Sequence, residues 1–320
     1  MNNKMKRWLI IISFLIMIGC ITFIVVMNKL NWDFTRLSNY DYVTNEYEIN
    51  DEYKDISIVT DTADIVFLPS DNEESLVVCY ENKNVKHSFM VKDNTLVIEV
   101  NDTRKWYEYI GIGFNTPKIT MYIPEGEYNT LSIKSSTGDI EIPKDFKFNS
   151  INILDSTGDI INYASVLNDI KINTSTGDIN VENIFAGMLE LSTSTGKINV
   201  NDVFCNDDIN ITVSTGRTNI SDTNCKSIIS SGSTGDISLK NVIATEKVSI
   251  ERSTGDVKFD SSDALDIYVK TDTGDITGSL LTDKVFITQS DTGSIDVPKT
   301  ITGGKCEIVT DTGDIKITID

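Results

Sequence analysis

Residues 169–200 read DIKINTSTGDINVENIFAGMLELSTSTGKINV. The phrase Ser-Thr-Gly ends there at Gly177 and again at Gly196, and apolar residues alternate with polar ones on both sides of each copy. With Ser or Asp in first place the phrase recurs at Gly138, Gly158, Gly216, Gly235, Gly255, Gly274, Gly293 and Gly313, and every step along the series is 19 or 20 residues. A fixed period of that length predicts a solenoid in which each repeat is one coil stacked on its neighbour.

Aligning the coils on the glycine shows how each is built. Two residues after it come Ile140, Ile160, Ile179, Ile198, Thr218, Ile237, Val257, Ile276, Ile295 and Ile315, of which nine are apolar. Seven residues before it come Leu131, Ile151, Ile170, Leu189, Ile209, Ile228, Val248, Ile267, Phe286 and Cys306, all apolar. Positions five before and four after are apolar in eight of ten coils. Period two on both sides means two short strands that meet at a Thr-Gly corner. Burying each such side chain is worth roughly 1.5–3 kcal/mol, which offsets the ordering of a coil only when neighbours are stacked. The glycine supplies the positive φ that a sharp corner demands. Thr218, Ser230, Thr288, Asn162 and Gly278 break the inward pattern and mark softer coils.

Upstream, residues 48–126 carry short alternating segments at Ile56–Val59, Asp64–Leu68, Leu76–Tyr80, Thr95–Val100 and Lys118–Ile123. Asp61-Thr62-Ala63-Asp64-Ile65 is a degenerate copy of the corner phrase. This region reads as a β-rich cap on solenoid residues 127–320, covering an edge that would otherwise invite strand pairing. The last coil, ending at Asp320, reads as the opposite, open end.

Further upstream, Trp8 to Met27 are twenty residues without a charge, enough to span roughly 30 Å of hydrocarbon. Lys4, Lys6 and Arg7 precede them, which predicts residues 1–7 as a cytoplasmic tail and the solenoid outside the cell. No small-residue cleavage site follows before Lys29, and Gly19-Cys20 is a poor lipoprotein signal because seven uncharged residues, six of them apolar, follow it. Residues 28–47 read as a polar tether. The expected architecture is therefore all-β: a single-chain solenoid of about ten coils with a β-rich N-terminal cap, behind one transmembrane helix.

Composition narrows the chemistry. Forty-eight acidic against 28 basic residues give a net charge of −20, unsuited to nucleic acid and suited to a solvated surface, a cationic partner or bound cations. The single histidine, His87, rules out Ser-His-Asp and Cys-His triads within the repeats and any multi-His metal site in one chain. His87 lies in a polar stretch and reads as an exposed loop or strand-end residue.

The N-terminal anchor, the strand-rich entry with Ile119-Thr120-Met121-Tyr122-Ile123-Pro124, and the serial Ser-Thr-Gly-Asp-Ile together resemble a bacterial family of β-strand-repeat proteins known as "putative adhesins", a domain of unknown function. The resemblance covers about Glu48 to Asp320. It implies a β-helix-like solenoid on the outer face of the membrane and brings no catalytic residues with it.

Three constellations are candidates for chemistry. The residue after each glycine is Asp in seven coils, with Lys197, Arg217 and Ser294 in the others. These carboxylates either cap the corner by accepting nearby backbone N–H groups or form a cation ladder. Asp272, Asp291 and Asp311 replace the usual Ser and, with Asp275 and Asp314, form the densest carboxylate cluster, where a Ca²⁺ site is to be sought. Asp-Thr-Gly is also the catalytic phrase of aspartic proteases, but stacked convex corners offer no cleft for two carboxylates to share a proton. Thr-x-Thr pairs such as Thr174 with Thr176 suit an ice-binding face, yet the array is broken in half the coils. Cys205 and Cys225 both lie nine residues after their glycine, so they are either two small buried residues in adjacent coils or a disulfide within reach at about 4.8 Å.

These features point to a non-enzymatic surface module whose flank binds wall polymer, glycan or another surface protein, with no cofactor apart from a candidate Ca²⁺. The alternatives are an envelope-stress sensor acting through another membrane protein and a polysaccharide-active enzyme built on the Asp clusters.

Overall fold

The computed structural model describes residues 3–34, 41–71, 74–109 and 115–320. A helix, Asn3–Lys29, comes first, about 40 Å long at 1.5 Å per residue. It is long and apolar enough to cross a membrane, and its apolar side chains from Trp8 to Val26 project outward without a protein partner. From Gly126 onward the chain is a stack of parallel strands in which each coil turns through the Thr-Gly corner, while the cap before it mixes parallel and antiparallel pairings. Residues 35–40 of the expected tether lie outside the described residues.

The ten corner glycines all have positive φ, from 128° to 159°. Each corner is bonded to the next: Gly177 N–H donates to Thr195 O at 2.9 Å, Gly196 N–H to Thr215 O at 3.0 Å, and Gly216 N–H to Thr234 O at 2.9 Å. The inward positions form one continuous core, with Ile170, Ile179, Ile198, Ile209, Ile228 and Ile237 essentially without solvent exposure. The phrase at Thr62-Ala63 stacks on Thr137 as expected of a degenerate corner.

A second corner column was not evident in the sequence. Asn183, Asp202, Asp222, Asn241 and Ser261, each six residues after its glycine, have φ between 48° and 55°. Asn and Asp adopt this left-handed conformation more readily than other side chains because their short polar groups bond locally.

The order of coils in space departs from chain order at both ends. Strand Asp55–Val59 lies between Thr95–Asp102 and Gly126–Lys134. At the other end, Gly304–Thr312 lies between Val257–Thr273 and Lys284–Thr292. The corners thus run Gly274, Gly313, Gly293, and Gly313 N–H donates to Thr292 O at 3.0 Å. Asp320 is therefore not the open end. Its carboxylate accepts from Ser279 and Ser261 at 2.7 and 3.0 Å inside the stack, and the outermost coil is Lys284–Asp296. The cap also differs from expectation. It starts at Tyr42, because residues 42–47, expected in the tether, belong with Glu48 and Ile49 to one strand that pairs antiparallel with Ser75–Asn82. A further strand, Val85–Lys92, closes its edge as a hairpin with Thr95–Asp102.

The pattern-breaking residues have specific partners. Arg252 is buried, and its guanidinium donates to Ser230 Oγ at 2.8 Å and Thr218 Oγ1 at 3.2 Å. Gly232 leaves the space that this side chain occupies. Burial without a carboxylate partner lowers the Arg252 pKa to about 10. Thr218 and Ser230 are therefore one polar cluster with Arg252, not independent soft spots.

The column three residues before the glycine also faces inward and is polar in most coils, Val213 and Gly232 being the exceptions: Ser135, Asp155, Thr174, Thr193, Thr271 and Thr310 are all buried. Neither carboxylate oxygen of Asp155 has a well-aligned hydrogen-bond partner among the described residues. Burial raises its pKa, outweighing the Ser156 and Thr157 N–H groups and the Ser135 hydroxyl, which stand near it and favour the charged form. A raised carboxyl pKa makes the native state less stable as pH rises from the unfolded value through the folded one. Asp155→Thr, which installs the residue found at Thr174 and Thr193, is expected to stabilise the protein by about 1–3 kcal/mol at neutral pH. That gain should shrink in acid, where Asp155 is already protonated. Thermal melts at neutral and acidic pH check this; a stabilisation equal at both would remove the charge from the explanation.

Candidate functional site

An apolar groove lies on the outer flank of the first coils. Tyr128, on strand Gly126–Lys134, and Phe148, on Phe146–Leu154, form its floor, with ring centroids 5.6 Å apart. Val166, Leu167 and Phe185 line its walls, while Glu127, Lys147, Asn149 and Ser165 bring polar groups to it. The volume is about 320 Å³. Leu167 is 67% exposed and Phe204, one coil beyond Phe185, 53% exposed. The Phe185 and Phe204 rings stack at 5.8 Å with planes 12° apart, because parallel in-register pairing sets them side by side. Both are eight residues after their glycine, an outward slot that Asn224 fills with an amide in the next coil. Two phenylalanines in a solvent-facing column were the available signal in the sequence, and the glycine-centred alignment passed over them because it sought inward positions.

The corner aspartates form a ladder of hydrogen bonds. Asp139 Oδ1 accepts Asp159 N–H at 2.8 Å, Asp159 Oδ1 accepts Asp178 N–H at 2.8 Å, and Asp178 Oδ1 accepts Lys197 N–H at 2.7 Å. The ladder resumes after Arg217, through Asp256 and Asp275 to Asp314, which accepts the Ser294 N–H at 2.7 Å. Each carboxylate therefore joins its own coil to the next. Hydrogen bonds from Ser294 hold the Asp314 carboxyl below its ordinary range. Asp272, Asp311 and Asp291 follow one another in consecutive coils, in that spatial order, as do Asp275 and Asp314. These five carboxylates do not form a group of three with oxygens within 4.8 Å of one another.

Cys205 and Cys225 occupy the same interior column with Ala186 and Ala244, and both are free thiols. Cys205 Sγ donates to Gly187 O at 3.2 Å. Burial pushes the two thiols up to about 11 and 12 respectively, so they are protonated at neutral pH.

His87 is not an exposed loop residue. It lies on Val85–Lys92 and is 6% exposed, with Nδ1 at 2.8 Å from Glu81 Oε2 and Nε2 at 2.9 Å from Thr60 Oγ1. Glu81 Oε2 also accepts the His87 backbone N–H at 2.8 Å, and Oε1 accepts from Asn45 Nδ2 at 2.7 Å. Burial works to raise the Glu81 pKa, but the bonds from His87 and Asn45 outweigh it and hold the carboxyl below its ordinary value. Cys79, two residues before Glu81 on the same strand face, completes a buried group whose ligand atoms lie within 4.8 Å of one another. Burial and the Glu81 charge push its thiol up to about 12.

Solved structures with the same fold include a "putative lipid binding protein" from Parabacteroides distasonis ATCC 8503, 19% identical, with a TM-score of 0.50 over 75% of this chain and 98% of that one. A "putative adhesin" from Parabacteroides merdae ATCC 43184 is 14% identical with a TM-score of 0.48, covering 75% of this chain and 97% of that one. Another from Bacteroides fragilis NCTC 9343 is 16% identical with a TM-score of 0.44, covering 87% and 97%. At these identities the likeness concerns the fold alone. No curated relative matches the chain. The Toastrack DUF4097 family model matches residues 53–224, which include the groove and the buried histidine cluster.

Proposed function

From the premise that the chain belongs to the Toastrack DUF4097 family, we propose that it is a membrane-anchored, extracytoplasmic solenoid whose groove between Tyr128 and Phe204 binds a glycan of the cell envelope. The observation that carries this reading is the exposed Phe185–Phe204 stack continuous with that groove. Flat aromatic faces pack against the C–H faces of pyranose rings, and the Asn149, Ser165 and Glu127 side chains supply hydrogen bonds to hydroxyls. The Asn3–Lys29 helix would hold the groove close to the membrane, with the basic residues at Lys4, Lys6 and Arg7 on the cytoplasmic side. Binding is favoured over turnover because Glu127 is the one carboxylate lining the groove among the described residues, whereas most glycoside hydrolysis uses a pair. The similar structure from Parabacteroides distasonis carries the name of a binder, a lipid-binding protein.

Phe185→Ala combined with Phe204→Ala should weaken binding of the full chain, in detergent micelles, to purified wall glycan at least about tenfold, or about 1.4 kcal/mol. Both side chains are surface groups, so the melting temperature should hold. Retained affinity in the double variant would refute the groove as the site. The apolar lining also suits an acyl chain, and binding to lipid vesicles instead of glycan, lost in the same variant, would transfer the groove to that ligand.

A further inference from the structure

We infer that Cys79, Glu81 and His87 form a site for one divalent transition cation of the zinc type. The three residues offer a thiolate sulfur, a carboxylate oxygen and an imidazole nitrogen, all more than nine-tenths buried, with their ligand atoms within 4.8 Å of one another. Sulfur and imidazole donors select zinc, cobalt or copper over Ca²⁺ and Mg²⁺, which prefer all-oxygen shells. This is a different chemistry, in a different part of the fold, from the corner carboxylates.

The groups around these ligands are arranged as partners that orient a metal's ligands would be. Thr60 Oγ1 stands at 2.9 Å from His87 Nε2, on the ring edge away from Glu81, so Nδ1 is the nitrogen facing the cluster. Asn45 Nδ2 fixes Glu81 Oε1 at 2.7 Å and Tyr47 Oη approaches the same oxygen at 3.4 Å, leaving Oε2 toward His87. The 2.8 Å contact between His87 Nδ1 and Glu81 Oε2 is bridged by a proton, and a cation would take that proton's place. The imidazole then carries its proton on Nε2 and donates it to Thr60, while the Cys79 thiol proton leaves to solvent. One dipositive ion with one thiolate and one carboxylate is electrically neutral, which suits a buried position.

A cavity lies beside two of the three ligands. It has a volume of about 90 Å³ and is lined by both Glu81 and His87 and by Asp61, Thr62 and Val85. Cys79 does not line this cavity, so a fourth ligand such as water would approach from the Glu81 and His87 side, giving three protein ligands with one open position. The Arg104 guanidinium also lines this cavity, but it is paired with Asp102 at 2.6 Å. Loss of the thiol proton makes affinity rise with pH.

The test is titration of the reduced full chain, in detergent micelles, with Co²⁺ and then Zn²⁺. One equivalent of Co²⁺ should produce a thiolate-to-cobalt charge-transfer band in the near ultraviolet, and Zn²⁺ should abolish it. Cys79→Ser should lose the band, and Cys306→Ser, a buried thiol in a remote coil, should keep it. Asn45→Ala leaves all three ligands in place and should weaken binding about 10–100-fold. A wild-type chain without the band overturns the proposal, as does a band that survives in folded Cys79→Ser. Should Cys79→Ser fail to fold, the wild-type spectrum and the Asn45→Ala affinity decide; an unchanged affinity in Asn45→Ala would reject this pocket as the site.

Discussion

Gly216→Ala is expected to destabilise the solenoid by at least about 3 kcal/mol, while Gly126→Ala changes stability by no more than about 0.5 kcal/mol. The two substitutions add the same methyl group. At Gly216 φ is 147°, a region that costs an L-residue of order 1–3 kcal/mol before any contact is considered. The added Cβ would also fall far inside the van der Waals surface of the Gly196 carbonyl, in the coil below. That carbonyl belongs to a backbone hydrogen-bonded in the stack, so neither coil can move without opening the pairing on both sides of the corner. At Gly126 the same carbon meets nothing within 4 Å. At about 2–4 °C per kcal/mol, the Gly216 variant should melt roughly 6–12 °C below wild type. Circular dichroism of both variants measures this. Equal melting temperatures would mean that the corners relax, and the steric account of the repeated glycine would fall.

Breaking the buried ion pair at the C-terminal end should be comparably severe. Lys284 Nζ lies 2.6 Å from Asp263 Oδ1, and the lysine side chain is 2% exposed. The two residues are not in adjacent coils. Gly304 pairs with Lys284 on one side and lies against Leu265 on the other, so the lysine reaches past the Gly303-Gly304 segment to its partner. The pair therefore fastens the outermost coil over the inserted C-terminal strand. Lys284→Met leaves a buried carboxylate without its cation, and the expected loss is about 3–5 kcal/mol. The double change Lys284→Met with Asp263→Leu removes both charges and should recover most of that loss, because a hydrophobic replacement of a buried pair is often neutral. Hydrogen exchange would localise the effect, with faster exchange over residues 284–319 and little change near Gly177. Uniform acceleration along the whole stack, or a double variant as unstable as the single, would contradict the fastening role.

Much of the architecture was legible because it is local and repeated. The Ile and Leu columns two after and seven before each glycine, and the glycine φ itself, follow from what each coil must bury and how sharply it must turn. The placing of Cys205 and Cys225 in adjacent coils, each next to the paired Phe204 and Asn224, follows from the same period. The corner aspartates were read as caps or cation ligands, and their oxygens are seen bonded to the N–H of the neighbouring coil. The interior column at Thr174 and Thr193 could have been reached by carrying the period of two one step closer to the corner, and the second corner at Asn183, Asp202 and Asp222 by aligning a few residues further on.

The sequence by itself thus determined the class of fold, the coil length, the core-facing columns and the apolar N-terminal helix, since each depends on spacing within one repeat. Only the tertiary structure decided the order of the terminal coils, because Phe286 and Cys306 satisfy the same inward position equally and the period does not choose between them. It also decided which exceptions belong together. Arg252 meets Thr218 and Ser230 from 34 and 22 residues away, and Cys79 and Glu81 meet His87 on the following strand, Val85–Lys92, which the alternation does not reveal. The groove from Tyr128 to Phe185 is likewise assembled from four coils. A repeat encodes what every coil has in common; a site is made where single, non-repeating side chains from different coils converge, and that convergence is a property of the stack.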